Sequence, residues 1–152
     1  MGALTLPISE TVYVDTNTVI YRVEEVKPYI DVARPLWDAL DAGTQDIATS
    51  ELSALEALIK PLRLQNASLQ ELFLGTLYHT PGLLCILITR QILESAAQVR
   101  ATLGLKTPDA IHAATALIEG CTLFVTNDVA FRRVLASTLQ FSMRSRSHPE
   151  AS

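Results

Sequence analysis

Four carboxylates stand where an alternating strand and helix chain would bring them together. Asp15 and Asp128 come just after short apolar runs, Asp109 opens a helix, and Glu56 lies within a helix's apolar seam. Two of them repeat one design: VYVDTN at 12–17 and LFVTND at 123–128 are β-branched and aromatic runs that end in an acid flanked by Thr and Asn. In open α/β sheets, chemistry sits at the carboxyl ends of strands. Several carboxylates buried together without partners would be driven toward protonation and would cost stability. Their convergence therefore predicts a bound Mg²⁺ or Mn²⁺, cations that take oxygen ligands.

Each acid also has a plainer reading. Asp15 at a strand-to-helix turn is a natural N-cap, and Asp128 competes with Asn127 for the same role. Asp109 in the first turn of its helix is favoured by the helix dipole alone. Glu56 could complete a capping box begun by Ser53, but the seam already begins at Leu52, ahead of that start. No rival chemistry is visible. His79, His112 and His148 have no metal-ligand spacing, and His112, three residues past Asp109, is expected on the helix surface or behind the acids rather than as a base. There is no Gly-rich phosphate loop and no Gly-x-Ser-x-Gly turn.

The elements that must position these groups follow from periodicity. TVYV (11–14) reads as a buried strand followed by a helix carrying Val19, Ile20 and Val23, and YIDVARPLWDALDAG as a second helix with Ile30, Ala33, Trp37 and Leu40 on its stripe. Pro35 either kinks that helix or marks its start. QDIAT is a short strand leading to a helix with the seam Leu52, Leu55, Ile59 and Leu62, and SLQELFLGTLYH is the next helix. LLCILI (83–88) is the third strand, followed by a long helix closed by Gly104. Thr107 and Pro108 look like the N-cap and first residue of a helix closed by Gly120. CTLFVT is the fourth strand, DVAFRRVLAS the last helix, and LQFSM a further edge strand. The alternation predicts an α/β fold with a parallel sheet between two helical layers.

Composition limits the remaining choices. The 152 residues suit one domain, and 49% hydrophobic with 18% charged residues predicts a well-buried core. The longest apolar run is far short of the roughly 20 residues of a spanning helix, so no membrane segment is expected. The opening MGALTLPISE lacks the pattern of a signal peptide, and residues 1–10 and the polar tail 143–152 are expected to be loose. Cys85 and Cys121, without Cys-x-x-Cys spacing, read as reduced buried thiols of a cytoplasmic protein. A net charge of −4 offers no global attraction to nucleic acid.

Four blocks in order, VDTNTVIY (14–21), TSELSALEALIKPLR (49–63), TPDAIHAATAL (107–117) and FVTNDVAFRRV (124–134), resemble the PIN domain family and, within it, the VapC-type toxins of toxin-antitoxin pairs. The resemblance covers about residues 11–142. It implies a three-layer α/β/α fold with a central parallel sheet of four to five strands, and a Mg²⁺- or Mn²⁺-dependent endoribonuclease whose acids are Asp15, Glu56, Asp109 and Asp128. Asn17 and Thr126 would support these acids by hydrogen bonding. Arg22, Lys60, Arg63, Arg132 and Arg133 are the candidates for holding the RNA backbone, although any single one is more readily read as part of a solvated helix face. The resemblance also implies a homodimer and a VapB-type antitoxin. Leu36, Trp37, Leu40, Leu55 and Leu58 are candidates for the antitoxin's groove, although ordinary core is the favoured reading of any single one. A different outcome is a PIN-fold module that binds RNA or protein without cutting. A phosphoacceptor receiver fold is disfavoured by the lack of paired early acids, and a flap-type DNA nuclease by the chain's small size.

Overall fold

A computed structural model describes residues 10–131. Four short strands form one sheet: β1 (Val12–Val14), β2 (Ile47–Ser50), β3 (Leu83–Ile86) and β4 (Leu123–Val125). Their order is β3-β2-β1-β4 and every pairing is parallel. The helices are α1 (Thr16–Glu24), α2 (Tyr29–Asp41), α3 (Leu52–Arg63), α4 (Ala67–His79), α5 (Arg90–Leu103) and α6 (Thr107–Ile118), followed by a single 3-10 turn at Val129–Phe131.

The pleat of β1 sorts its side chains between two cores, because successive residues point to opposite faces. Val12 and Val14 pack with Val19 of α1, the inner face of α2 and Leu77 of α4. Tyr13 faces the other way, into a layer built from Ile92 and Ala96 of α5, the alanines of α6, Phe124 and Phe131. This is the expected α/β/α sandwich. The expected fifth strand, LQFSM, and all but the first turn of the last helix lie outside the described residues.

Several boundaries differ from expectation. Pro35 lies inside α2, and α6 begins with Thr107 as its first helical residue and Lys106 as N-cap, placing Pro108 one position deeper. Early in a helix a proline is tolerated, because the N–H it lacks would have no intrahelical acceptor there. β3 stops at Ile86, two residues before the end of its apolar run.

The largest correction concerns α3. The predicted seam of Leu55, Ile59 and Leu62 is exposed, while Ser53, Ala57 and Pro61 form the buried face. Small residues at four-residue spacing let α3 lie close to its neighbours, and the Ser53 hydroxyl bonds inward to Thr16 at 3.1 Å and Thr49 at 2.7 Å. Leucines too bulky for that contact are left outside.

The candidate antitoxin groove is corrected for a related reason. Leu36, Trp37 and Leu40 are at most 4% exposed and belong to the α2 core stripe, so they cannot line a surface groove of this chain. Leu55 is exposed and Leu58 half-buried.

Candidate acidic site

The sheet order fixes where the acids meet. Chain connections leave β1 toward β2 on one side and return to β4 on the other, so the carboxyl ends of β1 and β4 flank the point where strand order reverses. Crevices for ligands form at such points. Val14 is in register with Val125, which sets the next residues, Asp15 and Thr126, side by side. Thr126 donates its hydroxyl to Oδ2 of Asp15 at 2.5 Å.

Asp15 is the N-cap of α1. Its Oδ1 accepts from the Thr18 backbone N–H at 3.1 Å and from the Thr18 hydroxyl at 2.7 Å. The capping reading of Asp15 is thus met. Burial pushes the Asp15 carboxyl above its ordinary range, and the hydroxyls of Thr126 and Thr18 pull it partway back. Asp128 is held from below: its own backbone N–H donates to the Thr126 hydroxyl at 3.0 Å, and its Oδ1 accepts from Ala130 N–H at 2.9 Å. Asn127 does not cap here; its amide donates to the Tyr21 hydroxyl at 2.9 Å.

Glu56 points inward because Ser53 and Ala57 beside it are buried, not because of the leucine seam. A capping box begun by Ser53 is excluded, since α3 starts at Leu52. Oε1 of Glu56 accepts from the Thr16 hydroxyl at 2.7 Å and lies 2.9 Å from Nε2 of His112. Burial works to raise the Glu56 carboxyl, but the bonds from His112 and Thr16 together outweigh it and the net shift is downward. His112, expected on a surface or behind the acids, is buried at 3% exposure and supports Glu56 from behind. Its Nδ1 lies 2.7 Å from the hydroxyl of Tyr13, itself fully buried.

Asp109 stands one helical turn from His112 on α6. Its carboxyl is pushed up by burial first and then by the negative charge of Asp128, with Glu56 and Asp15 adding to the effect and His112 opposing it. Four acids therefore share one electrostatic neighbourhood. Asn17, by contrast, is exposed, and among the described residues the hydroxyl bonds to Asp15 come from Thr18 and Thr126.

The donor set fits a hard divalent cation in kind, being oxygen throughout and mutually repulsive. Among the described residues no three His, Cys, Asp or Glu side chains converge into a closed cage.

The proposed cations are partly engaged. Arg22 pairs with Asp41 at 2.8 Å and its guanidinium lies 5.4 Å from the Trp37 ring centroid, while Lys60 pairs with Glu24 at 2.7 Å. Arg63 is exposed, and Arg132 and Arg133 lie outside the described residues.

Sequence reasoning missed Tyr13, Thr16, Thr18 and Ser53, and left His112 open between the helix surface and a place behind the acids. The signal for His112 was present: Ala110, Ile111, Ala113 and Ala114 make α6 apolar on every side, and such a helix is buried all round.

The fold is thus an α/β/α sandwich with Asp15 just past the carboxyl end of its first strand. The chain belongs to the PIN domain family, which matches residues 12–135. Similar solved structures include VapBC2 of Rickettsia felis bound to a DNA fragment from its promoter, with TM-score 0.62, 21% identity, and coverage of 86% of this chain and 97% of that one. A toxin-antitoxin complex from Klebsiella pneumoniae gives TM-score 0.57 at 24% identity, covering 79% and 89%. VapBC-5 from Mycobacterium tuberculosis gives 0.57 at 17%, covering 90% and 99%. At these identities the likeness is one of fold. No curated protein matches the sequence. Among the described residues no helix is long and apolar enough to cross a membrane, and Cys85 and Cys121 are free.

Proposed function

We propose that this PIN domain is a VapC-type toxin: a metal-dependent endoribonuclease that works in the cytoplasm as a homodimer and is silenced by a VapB-type antitoxin. The observation that carries the reading is the shared field of Asp15, Glu56, Asp109 and Asp128 at the strand-order reversal. Asp15 and Asp109 would be the principal holders of Mg²⁺ or Mn²⁺, with Glu56 and Asp128 completing the set directly or through water. Such a cation, when bound, neutralises phosphate charge and makes water a stronger nucleophile at neutral pH.

The chain's own residues supply position. Thr18 and Thr126 fix the Asp15 carboxylate so that it need not reorganise during reaction, and an oriented Glu56 or Asp128 can accept a proton from the attacking water. Arg63, with Arg132 and Arg133, would hold the RNA backbone, and Arg22 and Lys60 could join only by loosening exposed ion pairs of small worth. For the antitoxin, exposed Leu55 with half-buried Leu58 remains available after Leu36, Trp37 and Leu40 are assigned to the core. The similar structures being toxin-antitoxin complexes supports such a partner.

The test is cleavage of total cellular RNA by purified wild type and Asp15→Asn in Mg²⁺, Mn²⁺ or EDTA, with new ends mapped by sequencing. Discrete metal-dependent cuts absent from the variant are expected. Their absence in every condition, from folded antitoxin-free protein, would transfer the assignment to a PIN-fold RNA- or protein-binding module.

A further inference from the structure

Behind Glu56 lies a polar cluster that the acids alone do not explain. Tyr13 of β1, Thr16 of α1, Thr49 of β2, Ser53 of α3 and His112 of α6 are all buried, and they come from five elements. Burying five polar side chains is costly unless every one is bonded. Here each is bonded.

The protons in this cluster can be traced. Thr49 donates to the Val14 carbonyl at 2.8 Å, so at the 2.7 Å contact Ser53 can be the donor to Thr49. Thr16 spends its single hydroxyl proton on Oε1 of Glu56. The Tyr13 hydroxyl lies 2.7 Å from Nδ1 of His112 and fixes the ring from behind. A carboxylate oxygen only accepts, so the Nε2 nitrogen that meets Glu56 carries a proton. That proton faces Oε1 of Glu56 at 2.9 Å, with the Thr16 oxygen 3.1 Å away.

Both bonds to Glu56 therefore fall on one oxygen. Among the described residues Oε2 accepts none, and the Glu56 side chain keeps 30% of its exposure. We propose that His112 is a positioning residue: with its ring fixed by Tyr13, its Nε2–H clamps Oε1 of Glu56 together with Thr16 and so presents Oε2 to the acidic site. The arrangement resembles the way a ligand carboxylate or imidazole is oriented by a bonded neighbour behind it. It deepens the metal-site reading of Glu56 and rests on it.

Two measurements on the folded full-length protein separate the two ideas. Imidazole ¹⁵N spectroscopy of metal-free wild type reads the ring nitrogens directly; a proton on Nε2 is expected, and an unprotonated Nε2 overturns the clamp. Calorimetric titration with Mn²⁺ then reads the clamp. His112→Leu should weaken binding roughly 10-fold, as loss of an orienting neighbour does at metal sites. His112→Gln, whose amide can put an N–H near the Nε2 position, should recover most of it.

In the Glu56→Gln background, His112→Leu should have little further effect, because the two act as one unit. Undiminished Mn²⁺ affinity in folded His112→Leu, or full additivity with Glu56→Gln, overturns the proposal. If wild type takes up no Mn²⁺ and cuts no RNA, the metal-site reading falls and takes with it the purpose assigned to the clamp, whatever the protonation of Nε2.

Discussion

Thr126 donates its hydroxyl to Oδ2 of Asp15 at 2.5 Å, joining residues 111 positions apart in the chain, and the same hydroxyl accepts the backbone N–H of Asp128 at 3.0 Å. One side chain thus orients two acids. Thr126→Val keeps the shape and the strand-end branching but removes the bond. It leaves a buried carboxylate oxygen unserved, a loss of about 1.5–3 kcal/mol for a hydrogen bond to a charged group. The expected result is a lower urea midpoint with an unchanged m-value in metal-free protein at neutral pH. A midpoint equal to wild type would mean that the Asp15 carboxylate is not held by Thr126 in solution.

Asp109 supplies a pH prediction. Its folded carboxyl is raised, by burial first and by Asp128 next, so its ionised form opposes folding. That penalty is absent below the unfolded value near 4 and grows in as pH rises through the raised folded value. Metal-free Asp109→Asn should therefore be more stable than wild type at neutral pH, and the gap should close in acid. Glu56, shifted downward, contributes the opposite slope in both proteins. Added Mg²⁺ should reverse the ranking by raising the Tm of wild type more than that of the variant. Equal shifts in both would remove Asp109 from the ligand set.

Trp37 and Leu55 separate core from contact surface. Trp37 is 1% exposed and Leu55 62% exposed. Trp37→Ala should cost about 3–5 kcal/mol through the cavity it opens. Trp37→Phe should be far milder, because the indole nitrogen is buried without a hydrogen-bond partner among the described residues and nothing is lost by deleting it. Leu55→Ser should leave stability within about 0.5 kcal/mol of wild type and weaken capture of the proposed antitoxin. Folded Trp37→Ala of unchanged stability would contradict the core assignment.

Sequence pattern located the sheet and both strand-end acids because β1 and β4 carry the same grammar, an apolar run closed by acid, Thr and Asn. It placed α2 correctly because Ile30, Ala33, Trp37 and Leu40 are apolar, regularly spaced and in fact buried. It misread α3 because hydrophobicity was taken to mark the inner face. There the inner face is chosen by size and hydroxyl chemistry, at Ser53, Ala57 and Pro61. Glu56 was found for a reason only half right: it faces in beside that small-residue stripe, between no buried leucines. Thr16 and Tyr13 could not be singled out, since a hydroxyl's partner on another element is a property of packing and not of local spacing.

The pairing of β1 with β4 has a consequence for when the protein can act. Asp15 is synthesised early, but its neighbour Thr126 and the proposed fourth acid, Asp128, come from the far end of the chain, and β1 meets β4 only across that whole interval. Such non-local pairing forms late, after the intervening segments have collapsed. A growing chain that has completed β1 through α6 still lacks one wall of its acidic site. For a protein proposed to cut the RNA of the cell that makes it, assembly order would itself be a safeguard: the nascent polypeptide would lack a complete acidic site until β4 is in place.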